Sequence, residues 1–335
     1  MSRPGRFFAT LRMTWLGILL AACGGAAAPK ETSKQPLSQT VIHYSIGTAS
    51  GSQVLPDVAL AAGYFKEEGL DVDVVRLTGG AETLAALSKG ETHMSNTDAP
   101  STIQAHVNGL PTVIIAVPIT KPIFDVMAAP SIKTPQDLKG KTVGVSRVGD
   151  STYFQFALAL QSWGLKPQQD VDVRALQEYP AMLAGLINGQ IAAATLAAPF
   201  NFQAQKLGFH SLADLSQLPI NYPTNSVQTT QKFVIEHPDT LRAFLRAYLK
   251  GIQRFKNDKV FMVDVYRRFL KSDDTEVIEQ TWEMFRKLVQ DDPTPTAEGI
   301  QYVLDSLVQL GNEKARTANP SDFINTDLIK QAKEG

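Results

Sequence analysis

The amino-acid sequence predicts an α/β protein made of two lobes, with extra helices toward its C-terminal end. Over residues 41–206, short apolar runs alternate with amphipathic stretches, a pattern that predicts parallel strands covered by helices. Beyond about residue 225 the apolar residues recur at helical spacing, which predicts helices alone. The chain has 335 residues, 44% of them hydrophobic, and this is enough apolar material for more than one core.

Seven segments are predicted as strands because each is a short apolar run bounded by turn residues. They are 41–47, 71–77, 112–117, 124–129, 142–146, 171–175 and 191–195. Helices are predicted between them, near 53–63, 81–89, 100–108, 151–163, 180–188 and 198–206. This strand–helix order favours parallel sheets with helices on both faces.

The C-terminal part begins with a long helix predicted over about 238–256, where Pro238 and Asp239 suit a first turn. Further helices are predicted near 259–270, 275–289 and 296–311. Their apolar residues fall on one face, so we expect these helices to pack against the rest of the protein.

The first 22 residues have the pattern of an export signal. Three arginines precede an apolar stretch at 15–22 that is too short to span a bilayer, which takes about 20 apolar residues. Residues 20–24 (LAACG) resemble a bacterial lipobox, so we expect removal of residues 1–22 and lipidation of Cys23. An ordinary signal peptide beside a chance cysteine is the alternative.

A flexible tether is predicted over residues 23–40, which are small, polar and proline-containing and therefore cannot form a core. Cys23 is the single cysteine of the chain, which excludes an internal disulfide. A lone thiol is a liability in an oxidising compartment, so its position favours the lipid role. The expected location is extracytoplasmic, with the lipid anchored in the bacterial cell membrane on its periplasmic side.

Charge is nearly balanced, with 32 basic and 33 acidic side chains and a formal net charge of −1. Removal of residues 1–22, which hold three arginines and no acid, changes this to −4. No cluster of lysine and arginine marks a nucleic-acid surface, so nucleic acid is not an expected partner. Recognition of an anion would therefore depend on residues at the binding site and not on the charge of the whole surface.

Five turns between predicted strands and helices carry small or hydroxyl residues. Ligands of open α/β sheets bind where strands end and helices begin, and helix N-termini there present unpaired amides. The same residue types also cap helices in any protein. We therefore base the prediction of a binding site on several such turns, which two facing lobes would bring together. The five turns are 47–52, 78–83, 95–101, 146–152 and 195–200.

Candidate ligand-binding residues in these turns have hydroxyl, acidic or small side chains, and one aromatic residue follows the fourth turn. Tyr179 and Tyr222 flank further segments of the expected cleft, whereas Phe154 is expected in the core. The candidates from the turns are Thr48, Ser50, Gly79, Gly80, Asp150, Ser151, Thr152, Tyr153 and Pro199.

Motifs for catalysis, metal binding and nucleotide binding are absent from the sequence. The five histidines are scattered, and neither HExxH, GxSxG nor a P-loop occurs. One cysteine without clustered histidines cannot form a zinc site. The sequence therefore predicts no catalytic residue, no metal and no cofactor.

Four segments resemble conserved phrases of the nitrate/sulfonate/taurine-type solute-binding proteins, the SsuA-like family. They follow one another in the family's order, and the resemblance covers roughly residues 41–255. The segments are 56–74 (PDVALAAGYFKEEGLDVDV), 78–90 (TGGAETLAALSKG), 136–145 (QDLKGKTVGV) and 233–245 (FVIEHPDTLRAFL).

The resemblance implies the type II periplasmic-binding-protein fold, in which two α/β lobes joined by two crossover strands close on a ligand about a hinge. The crossovers would lie near 124–127 and 225–229. Residues 41–123 together with 226–335 would then form one lobe, and residues 124–225 the other.

The resemblance also implies a monomeric receptor that delivers a small molecule to the permease subunits of an ABC importer, without covalent chemistry. Family members bind sulfonate, taurine or nitrate, and others in the wider group bind aromatic carboxylates or the pyrimidine precursor of thiamine. The ligand neighbours that it implies by position are Ser50, Gly80, Ala81, Asp98, Ala99, Asp150, Ser151 and Thr152.

Asp98 and Asp150 do not fit the prediction of a purely anionic ligand in a simple way. They either cap helices or form a hydrogen bond to an amine or alcohol of a zwitterion such as taurine. Arg147 is the one arginine in these turns and is expected to be solvated. Two alternatives stay open: a pyrimidine-precursor enzyme on the same fold, and a ligand-sensing module. The yeast pyrimidine-synthesis relatives carry a cysteine-rich iron motif that this chain lacks.

Overall fold

The computed structural model of the chain describes residues 40–47, 50–77 and 79–334. Cys23 and Thr48, predicted as the lipidation site and a ligand-binding residue, lie outside the described residues, together with the predicted signal segment and nearly all of the tether. Among the described helices, none is both long enough and apolar enough to cross a membrane.

The described residues contain two mixed sheets of five strands each. The strand order is β2-β1-β3-β10-β4 in the first sheet and β7-β6-β8-β5-β9 in the second. The strands are β1 (Thr40–Ile46), β2 (Leu70–Arg76), β3 (Met94–Thr97), β4 (Thr112–Ile119), β5 (Phe124–Ala128), β6 (Thr142–Val145), β7 (Asp172–Ala175), β8 (Ala193–Ala197), β9 (His210–Asp214) and β10 (Asn225–Thr230).

Each sheet contains strands that pair in parallel and one strand that runs antiparallel to its neighbours. The chain enters the second sheet, and later returns to the first, through this antiparallel strand. In the first sheet β1 pairs in parallel with β2 and β3, and β10 runs antiparallel between β3 and β4. In the second, β6 pairs in parallel with β7 and β8, and β5 runs antiparallel between β8 and β9. We name the parts built on these sheets the first lobe and the second lobe.

Thirteen helices are present in the described residues, and those between parallel strands provide the crossovers that parallel pairing requires. They are α1 (Leu55–Ala61), α2 (Tyr64–Glu67), α3 (Gly79–Lys89), α4 (Ala99–Val107), α5 (Ser151–Ser162), α6 (Tyr179–Ile187), α7 (Phe200–Lys206), α8 (Gln231–Glu236), α9 (Pro238–Asn257), α10 (Lys259–Leu270), α11 (Thr275–Leu288), α12 (Ala297–Gln309) and α13 (Asp327–Glu334).

Burial along the central strands reflects helices on both sheet faces. Every residue of β4, β5 and β8 is buried, and their sequences are accordingly almost continuous apolar runs. Strands β2 and β7 lie at sheet edges and alternate in part between buried and exposed residues. The hydrophobic pattern of these strands therefore fixes the register of each sheet.

The C-terminal helices pack on the first lobe. Helix α9 contacts α1, α2 and α13, and α12 contacts α4. Phe244 of α9 is fully buried and stacks on Tyr44 of β1 and Phe65 of α2, with ring centroids 5.3 and 5.0 Å apart. Such aromatic pairs add about 0.5–1.5 kcal/mol each beyond the burial of their area.

The predicted architecture of two α/β lobes with C-terminal helices is confirmed, and all seven predicted strands are present. The chain leaves the first sheet after β4, forms the second and returns through β10, so the segments 124–127 and 225–229 lie in β5 and β10. Strands β3 and β9 were not predicted. β3 reads MSNT and is buried at all four positions, so its sequence lacks the apolar run that marks a strand.

One buried amide ties together the two connections between the lobes. Gln155 of α5 is fully buried, and its Oε1 accepts a hydrogen bond of 3.1 Å from the amide of Ile123, ahead of β5. Its Nε2 donates to Ser151 Oγ at 3.0 Å and to Thr224 Oγ1 at 3.2 Å. Thr224 Oγ1 in turn donates to the carbonyl of Lys121 at 2.6 Å. The second lobe is therefore fixed to both chain crossings at once.

Replacing Gln155 by leucine tests this role. The Gln155→Leu variant keeps the side-chain volume but leaves the buried Ile123 amide without its acceptor, which costs about 1–3 kcal/mol of unfolding free energy. The matched control, Gln161→Leu, changes an exposed residue of the same helix and should cost less than about 0.5 kcal/mol. Urea denaturation measures both, and equal effects would contradict a special role for Gln155.

Candidate ligand-binding site

A cavity of about 410 Å³ lies where the two lobes face each other. Its walls include the starts of α3 and α4 from the first lobe and the starts of α5 and α6 from the second. Each of these helices follows a strand of a parallel pair, so their N-termini gather at the carboxyl edges of the two sheets. The volume is typical of small-molecule sites.

The first-lobe wall contains a turn at residues 50–53 that is held from several directions. The amide of Gly51 donates to the carbonyl of Ala198 in the second lobe at 3.0 Å, and Gly51 accepts from the hydroxyl of Tyr266 at 2.8 Å. Asn225 Nδ2 donates to the carbonyl of Ser52 at 2.8 Å. These bonds fix the backbone of the turn, so its side chains are pre-positioned at the cavity.

Two glycines in this wall are needed for close packing. A Cβ on Gly51 would lie 2.4 Å from Cγ2 of Thr281, so the close packing of α11 requires glycine at this position. A Cβ on Gly80 would lie 2.7 Å from Oγ1 of Thr97 and 3.1 Å from Oδ2 of Asp98. The start of α3 can therefore approach the start of α4 only because residue 80 is glycine.

Asp98 is the N-cap of α4. Its Oδ1 accepts a hydrogen bond of 2.8 Å from the amide of Ser101, and its Oδ2 accepts one of 3.3 Å from Thr97 Oγ1. An aspartate suits this position because its carboxylate satisfies an amide that has no partner within the helix. Its remaining surface lines the cavity.

Asp150 is the corresponding N-cap of α5 in the second lobe. Its Oδ1 accepts from the amides of Thr152 and Tyr153 at 3.1 and 3.3 Å and from Thr152 Oγ1 at 2.6 Å. Its Oδ2 accepts a short hydrogen bond from Ser146 Oγ. The carboxylate is therefore held in one orientation at the cavity wall.

The two aspartates lie within electrostatic reach of each other. The pKa of Asp98 is raised to about 6. Burial is the largest cause, the hydrogen bond from the Ser101 amide lowers the pKa in part, and the charge of Asp150 adds to the rise. Burial also raises the pKa of Asp150. The pKa of Tyr179 is raised by burial and then by the charges of Asp150 and Asp98. The cavity thus brings together two carboxylates from different lobes.

Aromatic rings form part of the second-lobe wall. Phe124 and Tyr179 both line the cavity, with ring centroids 6.3 Å apart, and Tyr179 lies 5.4 Å from the ring of Phe200. Tyr179 is the first residue of α6, which explains its place at the sheet edge. A flat ring or a short alkyl chain fits against such a surface.

Most of the predicted binding residues converge on this cavity. The eight that line it are Ser50, Gly79, Gly80, Ala81, Asp98, Asp150, Ser151 and Thr152. Their contact with a ligand stays a prediction.

Three other predicted residues do not line the cavity. Ala99 is fully buried in a hydrophobic cluster, Tyr153 packs against Phe154 with ring centroids 6.2 Å apart, and Pro199 is buried before α7. Ala99 and Pro199 lie within predicted turns and Tyr153 directly follows one, yet none of the three lines the cavity. Arg147 was expected to be solvated, yet it lines the cavity, with its guanidinium against Gly79.

Several lining residues were not predicted from the sequence. Gln53 is the most informative of them, because its side-chain Oε1 is buried and has no hydrogen-bond partner among the described residues. Ser101 lies within the third predicted turn but was not among the candidates, and Asn225 carried no signal beyond its proximity to a turn. The unpredicted polar residues are Ser52, Gln53, Thr97, Ser101, Gln104, Asn108, Ser146, Gln177, Thr224 and Asn225.

The described part of the chain contains no group of three His, Cys, Asp or Glu residues arranged to hold a metal ion. The described residues that line the cavity include no histidine, lysine or cysteine. Polar recognition in this cavity therefore depends on carboxylates, amides, hydroxyls, backbone groups and Arg147.

Comparison with known proteins identifies related sequences. A family model described as NMT1/THI5 like matches residues 57–259, which is more than half of the chain. The taurine-binding periplasmic protein of Escherichia coli (strain K12) is 28% identical over 195 residues, which are 57% of this chain. The match spans 60% of the length of that relative.

Two solved structures share the fold of this chain. The ligand-binding component of an ABC-type import system from Staphylococcus aureus has a TM-score of 0.75 at 16% identity, over 89% of this chain and 100% of its own. The periplasmic nitrate-binding protein NrtA from Synechocystis PCC 6803 has a TM-score of 0.74 at 14% identity, over 88% and 89%. The expected periplasmic-binding-protein fold is therefore confirmed.

The raised pKa of Asp98 predicts a pH-dependent effect of its removal. Since the pKa is higher in the folded chain than in the unfolded chain, the Asp98 carboxyl favours folding below about pH 4 and loses this contribution as the pH rises through about 6. Asparagine keeps the helix cap without the charge. Asp98→Asn should therefore raise the unfolding free energy by about 1–2 kcal/mol at pH 8 and leave it nearly unchanged at pH 4.

Asp137→Asn provides the control, because the amides of Lys133 and Thr134 lower the pKa of Asp137 and its removal should give no gain at high pH. Thermal unfolding of the ligand-free chain across this pH range measures both variants. An Asp98→Asn variant that is less stable than the original chain at pH 8 would contradict the account.

Proposed function

The chain belongs to the NMT1/THI5-like family, and on this premise we propose that it is the extracytoplasmic solute-binding component of an ABC importer. It captures a small molecule between its two lobes and delivers it to permease subunits in the membrane. The receptor acts as a monomer and carries out no covalent chemistry.

The cavity between the lobes is the observation that carries this proposal. Its wall takes Asp98 and Gly80 from the first lobe and Asp150, Thr152 and Tyr179 from the second. A ligand in this space contacts both lobes when they are closed and fewer groups when they are apart. Binding therefore favours the closed arrangement through its differential contacts.

The connections between the lobes suit a hinge. In the described residues two chain crossings join the sheets, and the side chain of Gln155 contacts both of them through Ile123 and Thr224. Motion about these crossings can change the width of the cavity while each sheet stays intact. We propose residues 41–123 with 226–335 and residues 124–225 as the two moving lobes.

Membrane attachment is part of the same proposal. Residues 1–22 act as the export signal, and Cys23 carries the lipid that holds the receptor beside its permease. The polar tether of residues 23–40 gives the body reach between the membrane and the permease.

The groups in the cavity support binding without catalysis. Nucleophilic or acid–base catalysis needs a nucleophile next to a base, or carboxylates placed on either side of a reacting atom. Asp98 and Asp150 are both occupied as helix caps, and the described lining residues include no histidine, lysine or cysteine. The proposal therefore favours a receptor over a pyrimidine-precursor enzyme.

A thermal-shift panel tests the proposal. The panel holds taurine, alkanesulfonates, nitrate, bicarbonate, an aminopyrimidine and aromatic carboxylates. A solute at a hundred times its dissociation constant should stabilise the chain by about 2.7 kcal/mol, which raises the melting temperature by a few degrees. Turnover of any panel member without such a shift would contradict the receptor function.

A variant locates the binding event. The Cβ of a Gly80→Ala variant would collide with Thr97 and displace Asp98, so the solute-induced shift should fall sharply. Gly299→Ala adds the same methyl group to α12, where the nearest atom lies 3.3 Å from the new Cβ, and should preserve the shift. An undiminished shift in Gly80→Ala would place the solute outside this cavity.

A further inference from the structure

Besides the chain crossings, the two lobes are joined where α7 of the second lobe meets the start of α11 of the first. Lys206 Nζ of α7 lies 2.9 and 2.8 Å from Oδ1 and Oδ2 of Asp274, the N-cap of α11. The same nitrogen lies 2.8 Å from Oε2 of Glu276. One ammonium group of the second lobe is therefore shared by two carboxylates of the first. We name these three residues the interlobe ion cluster.

Helix α11 is fixed to the first lobe along its length. Trp282 Nε1 donates a hydrogen bond of 2.8 Å to the carbonyl of Phe255 in α9. The amide of Gln290, just beyond the helix, donates one of 2.8 Å to the carbonyl of Pro118 in β4. The middle of the helix packs on Gly51 of the cavity wall. The two carboxylates of the ion cluster therefore move with the first lobe.

Helix α7 is fixed to the second lobe in a similar way. Asn201 Nδ2 of α7 donates to Oδ2 of Asp125 in β5 at 2.5 Å, and Ser211 Oγ of β9 donates to Oδ1 of the same carboxylate at 2.9 Å. Asp125 and Asn201 are both buried. A buried polar network whose groups are paired holds one geometry. Lys206 therefore moves with the second lobe.

The two helices that the ion cluster connects lie on the opposite side of β5 from the cavity. Phe124 lines the cavity, whereas Asp125 lines a groove of about 810 Å³ between α7 and α11. Successive side chains of a strand point to opposite faces, so β5 separates the cavity from this groove. A change in the angle between the lobes about the crossings therefore changes the distance between α7 and α11.

The ion cluster is formed while the lobes are close together. The guanidinium of Arg147, from the second lobe, lies against Gly79 of the first, where a Cβ would be 2.9 Å from one of its nitrogens. The amide of Gly51 also donates across the lobes to the carbonyl of Ala198 at 3.0 Å. The ion cluster therefore belongs to the closed arrangement.

We propose that Lys206, Asp274 and Glu276 form an ion-pair latch that favours the closed arrangement of the lobes before any solute binds. This inference rests on the proposed closure of the lobes and adds a group of residues that biases it. Opening separates α7 from α11, so the ammonium group has to leave both carboxylates. Lys206 is thus a positioning residue, which acts on the solute only through the arrangement of the lobes.

Salt should weaken the latch, because all three side chains are partly exposed. The Debye length falls from about 30 Å at 0.01 M salt to about 3 Å at 1 M, so ions screen such charges strongly. Hydrogen bonds to Asp274 and Glu276 raise the pKa of Lys206, so the ammonium group stays charged at neutral pH. Exposed ion pairs contribute little individually, and we expect an effect of about twofold to fivefold on the ratio of closed to open molecules.

Single-molecule fluorescence transfer on the ligand-free chain measures this ratio. Ser88 and Gln161 are exposed near the ends of α3 and α5, which both begin at the cavity. Cysteines at these two positions carry the dyes, in a chain with Cys23→Ser so that no other thiol reacts. The population whose transfer efficiency fits this structure is the closed one. Raising sodium chloride from about 0.01 to about 1 M should lower the ratio of closed to open molecules about twofold to fivefold.

Charge-neutral variants identify the groups responsible. Lys206→Met should lower the ratio at low salt by the same factor and remove its salt dependence. Asp274→Asn combined with Glu276→Gln, which keeps an N-cap residue, should do the same, and joining all three changes should add nothing further. Lys259→Met is the matched control. It removes an ion pair of 2.9 Å with Glu279 of the same helix α11, but both partners belong to the first lobe, so the ratio should not change.

The outcomes separate the latch from the proposed function. Two populations whose ratio is unchanged in Lys206→Met, or falls equally in Lys259→Met, would overturn the latch and leave the proposed receptor function intact. A single population that neither salt nor any solute of the thermal-shift panel redistributes would contradict both the latch and the closure of the lobes.

Discussion

The arrangement of the lobes depends on the hydrogen bonds that the buried side chain of Gln155 forms. It joins Ile123 and Thr224, which lie on the two chain crossings, to the start of α5 at Ser151. The cavity exists because helix starts from two sheets face each other, and the crossings help to set the relative position of these sheets. A polar network buried in this way is favourable only when its groups are paired, so it specifies one local geometry.

The same carboxylates serve the fold and the site. Asp98 and Asp150 complete helices α4 and α5, and their caps hold the backbone of both turns. Their burial also gives the cavity a negative character that is costly to the ligand-free protein, as the raised pKa values indicate. Groups held in such unfavourable states are common at functional sites, because a ligand can relieve the cost.

The sequence was informative where structure follows local pattern. The alternation of apolar runs and amphipathic stretches predicted both sheets, and the turn composition predicted the residues at the starts of α3 and α5. It failed for β3, whose MSNT sequence is buried by its neighbours β1 and β10 rather than by its own hydrophobicity. A strand of this kind depends on tertiary packing that no local pattern contains.

Residues whose roles arise from long-range contacts were not predictable. Gln53 and Gln155 are ordinary amides in the sequence, and only the folded chain places one in the cavity and the other between the crossings. Ala99 shows the reverse, since it lies in a turn predicted to bind the ligand but is fully buried in a hydrophobic cluster.

Hydrogen exchange with and without the solute that gives the largest thermal shift tests the central claim most directly. If the ligand is held between the lobes, amides in segments 97–102 and 150–154 should gain protection together. Protection in one segment alone, or only around the larger groove lined by Phe202 and Trp282, would contradict binding between the two lobes.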